Sequence, residues 1–248
     1  MLPSSPREQN VTEFVVALSS MTATSSSGRD VLGSSKFPIS VLLDSGGAIS
    51  ELPSDIVDAI WTEVGAIVTE NGRPVVPCRL QSNSGWFEFG FGGPGGAVIN
   101  VTMGQLINNA SSLGPFIAGP YKGEDACYFG IQKGQANRYI LGDTFLRSAY
   151  VVYDMENLEI GMAPATFNVT SNAVIPFDSK GAVIPSSTPA PSQDAAALSA
   201  AAVTVTPTAL VAAHGFQSMK SAAVSGPRSG WTAISSLLVL LSLSFILS

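Results

Sequence analysis

Histidine is nearly absent from this chain of 248 residues: there is one, His214, in a segment poor in charge, and it reads as a solvated loop residue. Residues 1–165 therefore offer no imidazole, and a Ser-His-Asp or Cys-His nucleophile has no base to use there. With one histidine and two cysteines, the donors for a zinc site are too few. Basic residues are scarce as well, 12 against 18 acidic ones, and the net charge of −6 with a pI near 4.7 speaks against a nucleic-acid partner. The glycines never follow the order of strand, Gly-rich turn and immediate helix, so no nucleotide-binding loop is present and no cofactor is implied.

What charge there is sits in the first two thirds. Residues 1–165 hold 16 acidic and 9 basic side chains, whereas residues 166–248 hold 2 and 3. The acidic part is the expected folded part. Its N-x-[ST] sequons at Asn10, Asn100 and Asn109, with Asn168 just beyond, indicate an oxidising, secretory route. In that setting Cys78 and Cys127 are either a disulfide or two buried free thiols. The opening residues MLPSSPREQN are polar and lead into no apolar h-region, so they are not a signal peptide. The secretory features and this opening are reconciled if the chain is a fragment of a longer product.

The most informative stretch runs from Pro38 to Pro53, PISVLLDSGGAISELP. Ile39 to Leu43 is a short apolar run, cut off by Asp44 and the small residues Ser45, Gly46 and Gly47, and predicts a buried strand feeding a tight turn. A carboxylate at that spot is costly unless it is hydrogen-bonded. The consecutive glycines let backbone N–H groups approach it. Asp-Ser-Gly alone also fits an Asx-turn, in which the aspartate closes a loop on its own backbone.

Around it the chain predicts a β-rich unit. Val11–Ser19 reads as a strand and Met21–Ser35 as a hairpin or loop. After Leu52-Pro53, Ser54 is placed to cap a helix whose Ile56, Val57, Ile60, Trp61 and Val64 form one apolar stripe, stopped at Gly65. Val75–Leu80 reads as a strand carrying Cys78, and Gly85–Phe91 as an aromatic strand that turns at Gly92–Gly96 and returns over Ala97–Val101. Of Trp86, Phe87, Phe89 and Phe91, those sharing one face are core. Asp125–Gly130 and Tyr139–Gly142 follow as strands, then a short helix capped by Asp143, then a hairpin of Ser148–Asp154 with Leu158–Ala163.

Tyr139 to Asp154, YILGDTFLRSAYVVYD, taken together with Asp44-Ser45-Gly46 and the Leu52-Pro53 helix start, resembles the C-terminal lobe of pepsin-family aspartic proteases over residues 10 to 165. The resemblance implies a mostly β fold, one lobe of a bilobal architecture with short helices. It implies that Asp44 is the second of two catalytic aspartates, that Ser45 links the two active-site loops, and that Gly46 makes the tight turn. It favours the Cys78–Cys127 bridge, because the family's C-terminal lobe carries one in the corresponding place. It also places the Tyr139–Gly142 strand beside the aspartate's strand. Gly47 departs from the pattern, standing where the family usually has Thr or Ser to hydrogen-bond the aspartate.

Beyond the lobe, residues 166–230 are rich in Ser, Thr, Pro and Ala and are expected to form a disordered, O-glycosylated stalk. Residues 231–248, WTAISSLLVLLSLSFILS, are uncharged and apolar. Small residues at Ser221 and Ala222, a polar spacer and this tail match a glycolipid-anchor signal; a tail-anchored helix is the alternative. Such a decoration resembles the fungal GPI-anchored, yapsin-like branch of the family, and implies a protein of the plasma membrane or cell wall acting on polypeptides.

No second Asp-[Ser/Thr]-Gly occurs in the chain: Asp178-Ser179 is followed by Lys180, and Asp30, Asp125 and Asp143 lack the strand-Asp-small-Gly context. The first lobe and its flap are thus expected to be missing. Three functions remain: a fragment of a surface-anchored aspartic endopeptidase, an inactive cell-surface glycoprotein built on the same scaffold, or a single-lobe homodimer in which each copy supplies Asp44.

Overall fold

A computed structural model describes residues 13–34, 36–108, 113–135, 138–171, 174–191 and 210–218. Asn10, Asn109, Ser221, Ala222 and the apolar tail lie outside the described residues. The chain begins with a hairpin, β1 (Val15–Ser25) and β2 (Gly28–Leu32), then β3 (Ile39–Leu43), β4 (Ser50–Leu52) and helix α1 (Ser54–Val64). There follow β5 (Ile67–Val68), β6 (Pro74–Pro77), a 3-10 turn (Cys78–Ser82), β7 (Trp86–Phe91), β8 (Val98–Thr102), α2 (Met103–Leu106) and β9 (Ile107–Asn108). The rest of the lobe is β10 (Ala126–Phe129), β11 (Ile131–Lys133), β12 (Tyr139–Leu141), α3 (Asp143–Leu146), β13 (Ala149–Asp154) and β14 (Glu159–Pro164). A last helix, α4 (Val211–Gln217), stands apart in sequence.

The main sheet runs β11-β4-β12-β3-β1-β7-β8, with β2 also on β1. Period-two burial made it legible in advance: in β3 Ile39, Val41 and Leu43 face inward, and in β7 Phe87, Phe89 and Phe91 are buried while Trp86 is only partly so. β1 pairs with β2, β3 and β7, and its register against β7 shifts between Leu18 and Ser20, where the Ser19 hydroxyl donates to the Gly90 carbonyl at 2.9 Å. A second sheet, β5-β6-β10-β9, is tied by the Cys78–Cys127 disulfide, whose Cα atoms are 4.9 Å apart.

Helix α1 buries the expected stripe, and the Trp61 indole N–H donates to the Ile131 carbonyl at 2.9 Å. Gly65 ends the helix in the left-handed region, at φ +66°.

Several local expectations need correction. Ser54 does not cap α1; Pro53 holds that position and no side-chain cap bond is made. Asp143 likewise lies inside α3, with Gly142 as cap, and pairs with Arg147 at 3.2 Å. The strand over Val75–Leu80 stops at Pro77, which has no N–H for a ladder, and Cys78 opens a 3-10 turn.

The largest difference falls in the segment read as a stalk. Within it, residues 211–217 are helical, and Phe216 is wholly buried, stacked on Phe87 with ring centroids 5.4 Å apart. The Ser25 hydroxyl donates to the Ala212 carbonyl at 2.7 Å, Asn83 Nδ2 to the Gly215 carbonyl at 3.0 Å and Gln217 Nε2 to the Thr62 carbonyl at 2.9 Å. His214 is exposed, as expected, but on this helix and not in a loop. Among the described residues no helix is long and apolar enough to cross a membrane.

Candidate active site

Asp44 follows β3 directly, where the sheet leaves it half-buried. β3 lies between β1, antiparallel with Val16 opposite Val41, and β12, parallel with Ile140 opposite Leu42. The Leu43 N–H donates to the Phe14 carbonyl at 2.9 Å and the Asp44 N–H to the Leu141 carbonyl at 3.1 Å. Both neighbours thus hold the backbone up to the aspartate itself. The turn then closes: the Gly46 N–H donates to Asp44 Oδ1 at 2.9 Å and the Gly47 N–H to the Asp44 carbonyl at 3.1 Å. Side-chain closure onto Gly46 is the geometry of an Asx-turn. Here the turn and the strand-end position coexist.

After the turn the chain runs back as β4, which meets the other edge of β12 with Ile140 opposite Glu51. The single strand β12 therefore threads between the two arms of the aspartate loop. Gly142, where β12 ends, makes this threading possible: a Cβ there would lie 2.5 Å from the Gly47 carbonyl oxygen. The Asp143 N–H donates to that same oxygen at 2.7 Å. Behind the loop a buried relay braces it. Ser50 Oγ accepts from the Gly142 N–H at 3.2 Å and lies 3.2 Å from the Thr144 hydroxyl, which donates to the Gly130 carbonyl at 2.8 Å. Ser50 and Thr144 were not singled out in the sequence. Their only signal was a small hydroxyl residue inside each of the two recognised stretches.

The carboxylate's surroundings are sparse. Among the described residues, its hydrogen bond comes from the Gly46 amide. Ser45 is exposed, and Gly47 brings no hydroxyl. A Cβ on Gly47 would stand 3.5 Å from Asp44 Oδ2 and 3.3 Å from Ile140 Cδ1, so the site has room for a small side chain. A pocket of about 160 Å³ opens alongside, lined by Glu51, Gln135, Arg138 and Ile140.

The other acids considered lie elsewhere. Asp30 is buried beneath α4, Asp125 bridges to Pro115, and Asp143 pairs with Arg147. Of the glycosylation sequons that are described, Asn100 is exposed on β8, opposite Glu88, and Asn168 is exposed at φ +58°.

A single aspartate thus stands at a strand end, held by a crossing strand and turned toward the surface. Comparison with known proteins gives the family. Residues 8–165 match the family model described as eukaryotic aspartyl protease. The chain is 34% identical over 189 residues to a probable aspartic-type endopeptidase opsB of Aspergillus fumigatus, covering 75% of this chain and 37% of that protein. It is 31% identical to aspartic proteinase sxa1 of Schizosaccharomyces pombe, over 65% of this chain and 30% of that protein. With aspartic proteinase 3 of Saccharomyces cerevisiae the identity is 35%, over 69% of this chain and 26% of that protein. The chain belongs to the eukaryotic aspartyl protease family, and its mostly β architecture is that of one lobe of the pepsin-like fold. It spans about a third of the length of the opsB relatives, 37% and 35% of them.

Proposed function

We propose that Asp44 is one of the two catalytic aspartates of an aspartic endopeptidase, and that an N-terminal lobe supplies the other. The observation that carries this is the grip on Asp44: β1 and β12 hold its backbone, while Gly46 aims one carboxylate oxygen. In such a centre two carboxylates about 3 Å apart share one proton, because both cannot ionise at that separation. One takes a proton from a bound water, and the water oxygen attacks the scissile carbonyl carbon. The other gives its proton to the carbonyl oxygen, and a proton is delivered to the leaving amine as the C–N bond breaks. Asp44 suits either role, since Oδ1 is oriented by an amide and Oδ2 is left for the shared proton.

Around this core the chain carries the features of a secreted surface protein. We assign N-glycosylation to Asn10, Asn100, Asn109 and Asn168, glycolipid attachment to Ser221 or Ala222, and a cell-surface location at the plasma membrane or wall. Polypeptides are the substrates.

The full chain, mixed with the separately produced N-terminal lobe of the A. fumigatus relative, is expected to cleave a denatured protein at acid pH. Pepstatin and Asp44→Asn should each abolish that cleavage. Restored lobe pairing, seen by size-exclusion chromatography, without any cleavage would overturn the assignment of Asp44. Release of the protein from cells by a phosphatidylinositol-specific phospholipase tests the anchor independently.

One observation favours a second reading, the non-enzymatic surface glycoprotein: Gly47 gives Asp44 no hydroxyl. Activity of the chain alone, rising with the square of its concentration, would instead identify the single-lobe homodimer.

A further inference from the structure

Two buried acids meet under helix α4. Asp30, on β2, accepts the Ala212 N–H at 2.6 Å. Glu63, on α1, accepts the neighbouring Ala213 N–H. Each is only 1% exposed. Each also keeps one buried oxygen, Asp30 Oδ1 and Glu63 Oε2, to which no N–H or O–H of the described residues donates. The two side chains stand within hydrogen-bonding reach of each other. Two ionised carboxylates are acceptors only and repel; a single proton turns one into a donor and satisfies both orphaned oxygens.

Among the described residues no cation relieves the pair. Arg29, beside Asp30 on β2, turns to the opposite face and pairs with Glu88. On α1, Asp58 pairs with Lys133 and Asp55 accepts the Ser34 hydroxyl. β1 and residues 83–85 carry no charged side chain, Arg79 of the 3-10 turn before them pairs with Glu124, and His214 of α4 is exposed. Helix α4 itself hides the acids from water, with Phe216 seated on Phe87 at its far end.

We propose that α4 is a proton-locked clasp: it holds the C-terminal segment to the lobe while Asp30 and Glu63 share a proton, and lets go when that proton leaves. The proposal rests on the fold and not on the proposed catalytic role. Burial, and then the Asp30 charge, raise the Glu63 carboxyl to about 7, so loss of the proton falls near neutrality. Once α4 is released, Glu63 regains water and the ordinary carboxylate range. The docking equilibrium then weakens by on the order of a hundredfold between pH 4 and pH 8. In acid surroundings the lobe holds α4; in neutral ones it releases it.

Amide hydrogen exchange on the full chain tests this, with protection factors taken so that the intrinsic pH dependence of exchange divides out. Protection at Ala212 to Phe216 should fall at least tenfold from pH 5 to pH 8.5, while Val41 and Phe89 keep theirs. Glu63→Gln, which still donates to Asp30 but cannot ionise, should keep α4 protected at both pH values. Asp30→Asn removes the other acid, keeps an oxygen for Ala212 and should do the same, so one variant suffices if the other fails to fold. Protection of α4 that is independent of pH would overturn the clasp, as would a pH-dependent fall that both substitutions leave intact. Protection that disappears on dilution would show that the helix comes from a second molecule and would overturn the intramolecular device.

Discussion

Gly142 and Gly47 approach so closely that a Cβ on Gly142 would stand 2.5 Å from the Gly47 carbonyl oxygen, and closer still to that of Ile49. The contact is between backbones, which have no rotamer to relieve it. Gly142→Ala is therefore expected to push β12 out of the aspartate loop and to cost about 2–3 kcal/mol, at the upper end of overpacking penalties. Urea unfolding measures this directly. An unchanged midpoint would mean that the threading of β12 is looser than the structure shows.

Gly47 presents the opposite case. Its φ lies outside the left-handed region, and the nearest atom to an added Cβ is the flexible end of Ile140. Gly47→Ser should fold with a stability change within about 1 kcal/mol, as is usual away from special backbone sites. Its hydroxyl comes within reach of Asp44 Oδ2. A hydrogen bond to a charged group contributes roughly 1.5–3 kcal/mol, so kcat of the lobe-complemented enzyme should rise about tenfold. No gain in kcat would show that the missing hydroxyl is not what limits Asp44.

The Cys78–Cys127 bridge closes a sequence separation of 49 residues. In the loop-entropy model it stabilises the fold by about 4 kcal/mol. The Cys78→Ser/Cys127→Ser pair should lower the urea midpoint accordingly, with exchange protection lost first in β6 and β10. Equal loss across the main sheet would place the bridge in a single cooperative unit with β3.

Stability should also depend on pH through Glu63. Its carboxyl is raised from 4.5 to about 7 in the folded chain, by burial first and then by Asp30. Between those values the folded state holds a proton that the unfolded state has released. The stabilisation is complete below pH 4.5 and is lost as pH rises through 7. Unfolding midpoints from pH 4 to pH 8.5 should slope downward, and Glu63→Gln should flatten that slope. A slope that survives the substitution would assign it to another group.

Much of this was legible beforehand because short-range rules governed it. Alternation marked β3 and β7, the i, i+4 stripe marked α1, and an aspartate followed by small residues marked the turn. The caps at Ser54 and Asp143 were misplaced by one residue, since cap identity depends on backbone angles that side-chain type only biases. The misread of α4 has a different cause. Its helical signal, Ala212, Ala213 and Phe216 on one face with a single aromatic, is real but too short to stand alone. Its place on the lobe depends on Phe87, Asn83, Ser25, Thr62 and the acids of two other elements, all more than a hundred residues upstream.

Residue order by itself determined where β3, β7, β8, β12 and α1 lie, which aspartate ends a buried strand, and which family the chain resembles, because periodicity and turn chemistry act within a few residues. Tertiary structure alone decided that β12 passes through the Asp44 loop, that Ser50 and Thr144 brace it, and that Asp30 and Glu63 meet under α4. Those contacts join groups distant in sequence, and no local preference encodes a meeting that depends on the burial of everything between them.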